Sequence, residues 1–138
     1  MRSFFDSSAF AKRFIEEQGS AEVEKICMDS QSIGLSSLCL PEIISALNRR
    51  IREKSISKKE YLTIKQRLFS EIEDIDIIHV VPEIISKTIY LLEKNNLRTI
   101  DAVHIASAIL WEPDLFISAD KKQIVAARKS GLKIKFIN

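Results

Sequence analysis

The chain has 138 residues, 46% hydrophobic and 29% charged, a balance that supports a buried core in one domain over residues 1–138 and excludes intrinsic disorder. Its formal net charge of +2 is too small to mark a nucleic-acid binder on its own, so local clusters carry more information. No apolar run reaches the ~18 residues that a membrane span needs. Asp6 follows Phe4-Phe5 too soon for a secretory signal, so a cytoplasmic protein with no membrane association is expected.

In chain order, Ser3-Phe4-Phe5 predicts a short buried strand that stops at Asp6. Ser7 or Ser8 can then cap a helix that carries Phe10, Phe14 and Ile15. Gly19-Ser20 breaks that pattern, and Glu22 and Glu24 mark the first turn of a second helix. Residues 33–38 predict the second strand. Pro41 suits the first position of the following helix, whose apolar face is Ile43, Ile44, Leu47 and Ile51. Ser57 and Glu60 form a capping box for the next helix, with Tyr61, Ile64, Leu68, Phe69 and Ile72 on one side. The two helices predict a hairpin whose apolar surface is a candidate for self-association or partner binding.

Residues 75–81 predict the third strand. Pro82 opens a helix with Ile84, Ile85, Ile89 and Leu92 inward, ended by Asn95-Asn96. From Ala102 to Leu110 the sequence is apolar on nearly every side, which predicts a helix in the centre of the domain. Residues 115–119 predict a fourth strand, 121–130 a helix closed by Gly131, and 132–137 a fifth strand. Strands alternating with helices predict an α/β protein, a three-layer α/β/α sandwich around a mostly parallel sheet of about five strands. Cys27 and Cys39 lack partners at zinc spacing and read as reduced, buried thiols. His79 reads as a structural residue of the third strand.

Four acids, Asp6, Glu42, Asp101 and Asp120, stand at the starts of predicted helices. Each alone has a structural reading as a cap or a complement to the helix dipole. As a set they are harder to dismiss, because strand ends and helix starts converge on one edge of an open α/β sheet. Carboxylates gathered there repel one another unless a cation lies between them, and an all-oxygen site suits Mg²⁺ or Mn²⁺. Such a site can bind a phosphodiester and activate water. Asp6, Asp101 and Asp120 are the candidate metal ligands, and Glu42 ligates or orients the attacking water. Ser8 and Ser118 are placed to hydrogen-bond a carboxylate or phosphate. His104, one turn after Asp101, reads as a core histidine. Lys12, Arg13, Arg49, Arg50, Lys121 and Lys122 lie near the acids in sequence and are candidates to hold a nucleic-acid backbone.

Four blocks then carry a family likeness: Phe5-Asp6-Ser7-Ser8-Ala9, Pro41-Glu42-Ile43-Ile44-Ser45-Ala46-Leu47, residues 97–108 (LRTIDAVHIASA), and Phe116-Ile117-Ser118-Ala119-Asp120. In this order and at these intervals the chain resembles PIN-domain ribonucleases, specifically the VapC-type toxins of VapBC toxin–antitoxin pairs. The resemblance implies a metal-dependent endoribonuclease with Mg²⁺ or Mn²⁺ in an acidic cleft, formed by Asp6, Glu42, Asp101 and Asp120 with Ser8 and Ser118 in support. It also implies an RNA substrate, a homodimer and a cognate antitoxin protein. Some relatives carry a further acid shortly after the fourth, where this chain has Lys121, Lys122, Gln123 and Ile124. A second reading keeps the fold without the catalysis, as a module that binds RNA or protein.

Overall fold

Strands β1 (Arg2–Phe5), β2 (Ser32–Ser36), β3 (Asp76–Ile78), β4 (Leu115–Ser118) and β5 (Ile134–Phe136) make one sheet in a computed structural model that describes residues 1–138. Every pair is parallel, in the order β3-β2-β1-β4-β5. Parallel neighbours need long crossovers, which seven helices supply: α1 (Ser7–Phe10), α2 (Ser20–Asp29), α3 (Cys39–Arg52), α4 (Lys58–Glu71), α5 (Pro82–Lys94), α6 (Thr99–Trp111) and α7 (Lys121–Lys129).

The alternation of side chains along a strand sends Phe5 and Ile117 to one face and Phe4 and Phe116 to the other. Phe5 and Ile117 join Phe10, Val23, Ile43, Leu47 and Leu68 under α1 to α4. Phe4 and Phe116 stack at 6.0 Å and join Ile84, Leu91, Ile105 and Ala126 under α5 to α7. All four strand residues are fully buried, each worth about 1.5–3 kcal/mol of transfer free energy. The expected three-layer sandwich is therefore present. Gly34 on β2 lets the α6 end come close: a Cβ there would lie 2.8 Å from the Trp111 ring.

Several expectations are corrected. The helix after β1 is only Ser7–Phe10 with a 3-10 turn at Ala11–Arg13, so Phe14 and Ile15 lie beyond it. Its cap is Asp6, which accepts from the Ala9 amide, and not Ser7 or Ser8. Helix α3 begins at Cys39, so Pro41 sits inside the first turn, where amides still lack intrahelical acceptors. Strand β3 stops at Ile78, leaving His79 exposed beyond it. On α5 the buried stripe is Ile84, Thr88 and Leu91, while Ile85 and Ile89 are exposed; the helix is turned about one position from the expected register. The apolar face of the α3–α4 hairpin is largely consumed by the core, with Ile43, Leu47, Tyr61 and Leu68 buried and only Leu62 and Phe69 left substantially exposed. The exposed apolar stripe lies instead on α5 and its cap, at Val81, Ile85 and Ile89. Both cysteines are free and buried, and burial raises their thiols to about 11 for Cys27 and about 12 for Cys39.

Candidate active site

The chain winds outward from β1 through β2 to β3, then crosses back to β4 and β5. The crossing point between β1 and β4 opens a crevice at the carboxyl ends of the strands. Asp6 directly follows β1 and Asp120 follows β4 by one residue, so the two acids flank that crevice. Glu42 lies in the first turn of α3, which leaves β2, and Asp101 lies in the first turn of α6. All four line one cleft of about 420 Å³, together with Ser7, Ser8, His104, Arg98 and Gln123.

Asp6 is the most enclosed, only 2% exposed. Its Oδ1 accepts from Ser8 Oγ at 2.7 Å and the Ala9 amide at 3.0 Å, and its Oδ2 accepts from Ser118 Oγ. Desolvation raises its pKa in spite of these bonds and of the nearby His104. Ser8 and Ser118 thus both serve Asp6, and the Ala119 amide in turn donates to Ser8 Oγ at 3.0 Å.

Glu42 is held by two donors. Its Oε1 lies 2.6 Å from both Ser7 Oγ and His104 Nε2. A carboxylate only accepts, so both groups donate. Partial burial pushes the Glu42 pKa up, but the bonds from His104 and Ser7 outweigh it and the net shift is downward. His104 is 1% exposed and its Nδ1 has no partner. It is therefore a cleft residue tied to Glu42, where the sequence had suggested a core histidine.

Asp101 is gripped by Arg98, whose Nε reaches Oδ2 at 3.0 Å and whose Nη2 reaches Oδ1 at 3.2 Å. Gln123 Nε2 approaches the same Oδ1 at 3.4 Å. Arg98 is raised chiefly by its hydrogen bond to Asp101 and by that acid's charge, with Glu42 and Asp120 adding to it. Its side chain is 74% exposed, so a guanidinium at the cleft mouth balances part of the negative charge. Asp120 caps α7 through Oδ1, accepting from the Lys122 amide at 2.8 Å.

The donor set tests well against a hard divalent cation: four carboxylates on four segments, one of them buried at a desolvation cost and without a basic partner of its own. As the side chains stand, no three acid, imidazole or thiol groups are close enough to cage an ion. Each Asp101 oxygen accepts one bond from Arg98, so the guanidinium competes with an ion for this carboxylate.

The basic residues divide. Arg49 and Arg50 line the cleft, with Arg50 paired to Glu17 at 3.1 Å. Lys121 and Lys122 line an adjoining groove that begins at Asp101 and Asp120. Lys12 is paired to Glu17, and Arg13 to Glu71 and Glu24; neither lines the cleft. Ser7, Arg98, His104 and Gln123 complete the site, although the sequence reading gave Ser7 only a capping role and His104 a core role and assigned the other two none. The spacing held a signal for two of them, since Arg98 and His104 stand one helical turn either side of Asp101.

A family model described as the PIN domain matches residues 3–129. Among curated proteins, none matches the chain. Solved structures do. Mycobacterium tuberculosis VapC20, described as a sarcin-ricin loop cleaving toxin, superposes with a TM-score of 0.71 at 15% identity, over 90% of this chain and 94% of its own. VapBC2 from Rickettsia felis, solved on a promoter DNA fragment, gives 0.70 at 14% identity over 100% of both chains. PAE2754 from Pyrobaculum aerophilum gives 0.72 at 13% identity, over 97% of this chain and 89% of its own. At such identities the likeness establishes the fold.

Proposed function

Because the chain belongs to the PIN-domain family, we propose that it is a divalent-metal-dependent endoribonuclease, the toxin of a type II toxin–antitoxin pair. The observation that supports this reading is the convergence of Asp6, Glu42, Asp101 and Asp120 on one cleft at the crossing point of the sheet. Asp6, Asp101 and Asp120, with Glu42, are the residues that hold Mg²⁺ or Mn²⁺. The ion supplies Lewis-acid stabilisation of the phosphodiester and a lowered pKa for water.

The chain's own groups do the rest. Ser8, Ser118 and the Ala9 amide fix the Asp6 carboxylate so that it presents a set geometry. Ser7 and His104 hold Glu42 by one oxygen, leaving Oε2 free to accept a proton from water. Arg98 at the cleft mouth is placed to meet a phosphate oxygen once it leaves Asp101. The substrate is RNA, with a structured loop of the kind attributed to VapC20 as the first to try. An antitoxin partner follows from the VapBC relatives, and self-association of two copies from the exposed stripe of α5. No helix is long and apolar enough to cross a membrane.

The test is incubation of the purified chain with a pool of folded small RNAs and Mg²⁺ or Mn²⁺, with EDTA and an Asp101→Asn variant alongside. Discrete cuts lost in both controls support the reading. Cuts shared by the variant come from a contaminant. Absence of cutting together with absence of a Mn²⁺-induced thermal shift favours a non-catalytic binding module.

A further inference from the structure

Beyond the cleft, the surface on the α7 side differs from the surface on the α3 side. On the α3 side the cations are partly spent: Glu17 takes both Lys12 and Arg50. On the α7 side a groove of about 320 Å³ runs between α7 and the α5–α6 connection, and no carboxylate lines it. Lys94, Lys121, Lys122 and Lys129 border this groove, and none of them has an acidic partner. It shares Lys121 and Lys122 with the depression that begins at Asp101 and Asp120, so it is continuous with the carboxylate cleft.

The lysines are not where helix stability would put them. Helix α7 contains no acid, and Lys121 and Lys122 occupy its first turn, where positive charge opposes the helix dipole. Lys121, Val125 and Lys129 repeat at a spacing of four, which keeps them on one face while Ile124 and Ala127 face the core. From Lys121 to Lys129 the helix rises about 12 Å, so cations are spread along a line and not gathered at a point. The groove then opens onto Tyr90, whose exposed ring has the ammonium groups of Lys87 and Lys94 over it, 5.3 Å and 5.7 Å from its centroid, on side chains long enough to swing from the ring to a phosphate. A line of unpaired cations ending on an exposed aromatic ring matches what binds a single nucleic-acid strand: ammonium groups for the backbone and a face for a base.

We infer that a single RNA strand runs out of the carboxylate cleft along this groove, with Lys121, Lys122, Lys94 and Lys129 on its phosphates and a base stacked on Tyr90. The inference rests on the ribonuclease reading and adds a direction to it. The substrate extends over α7 toward the end of α5, and not over Arg49 and Arg50.

The experiment measures binding of a fluorescent single-stranded 12-nucleotide RNA to the full chain carrying Asp101→Asn, in EDTA, across a salt series. Lys94→Gln/Lys129→Gln is added to that background, with Lys58→Gln/Lys59→Gln at the start of α4 as the charge-matched control. Wild-type cleavage of the RNA pool is run in the same series. Each lost phosphate contact lowers the slope of log affinity against log salt by about 0.7 for a single strand, so the groove pair should flatten it by about 1.4 and the control pair should not. Tyr90→Ala should weaken binding without changing the slope. Equal slopes for the groove and control pairs, in a protein whose wild type cuts RNA, overturn the groove and leave the nuclease standing. A wild type that neither cuts nor binds RNA overturns both. Binding of an acidic peptide but not of RNA through the same lysines assigns the groove to a protein partner and overturns the inference.

Discussion

His104 offers the sharpest mutational test of how the site is held. Its Nε2 donates to Glu42 Oε1 at 2.6 Å, while its Nδ1 is buried without a partner. Replacement by leucine removes the donor but also removes an unsatisfied buried nitrogen, a group that costs about 1–3 kcal/mol. The variant should therefore fold, with a thermal midpoint close to wild type. What it loses is one hydrogen bond to a charged acceptor, worth about 1.5–3 kcal/mol. If that bond fixes the reactive placement of Glu42, the loss appears as a fall of about 10–100-fold in kcat with KM little changed. Glu42 is also held low by this bond against the effect of its burial, so the acid limb of the pH–rate profile should move to higher pH. His104→Gln, whose amide nitrogen can stand near Nε2, should recover much of the rate. The assay is single-turnover cleavage of an end-labelled RNA at saturating metal. A leucine variant at wild-type rate, or a glutamine variant no better than leucine, would refute the argument.

Three further outcomes follow from the geometry. Arg98→Ala frees Asp101 from a contact that is well exposed, so its worth is at most about 1 kcal/mol; Mn²⁺ should bind up to about five-fold tighter in a calorimetric titration, and weaker binding would mean that Arg98 instead positions Asp101 for the ion. Desolvation raises the pKa of Asp6 in the folded protein above the ordinary carboxylate range, so native protein holds its proton more firmly than unfolded protein and loses stability as pH rises through the folded value. In EDTA, Asp6→Asn should accordingly melt higher than wild type at pH 7, with the advantage shrinking as pH falls toward 4; an advantage independent of pH would point to something other than the charge. Gly34→Ala places a methyl 2.8 Å from the Trp111 ring, and overpacking of this kind costs about 1–3 kcal/mol, measurable by urea unfolding.

The alternation of strands and helices was readable in the sequence because the central strands are continuous apolar runs: Phe4-Phe5 and Phe116-Ile117 bury both faces. The carboxylate set was readable because Asp6 and Asp120 follow such runs and Glu42 and Asp101 stand in the first turns of helices. What escaped was set by orientation. The apolar face of helix α5 runs from Leu91 and Ile84 round to Ile85 and Ile89, wider than the strip that is buried, so which edge of it faces inward was settled by packing on α6 and not by pattern. His104 lies on a helix that is buried throughout the stretch Asp101–Ala108, where its place one turn from Asp101 is the one local sign that separates a histidine facing Glu42 from one facing the core. The pairing of Arg50 with Glu17 is likewise a tertiary fact, since it joins a residue near the start of the chain to α3.

Whether these carboxylates form a cation site is tested by direct Mn²⁺ binding, without reference to any substrate. Titration of the wild type and of Asp6→Asn, followed by the loss of the free Mn²⁺ paramagnetic resonance signal, is the measurement. Saturable binding is expected for the wild type and binding at least ten-fold weaker for Asp6→Asn, whose side chain can still accept from the Ala9 amide and a serine. Equal binding by the two proteins, or none by either, would contradict the cation site.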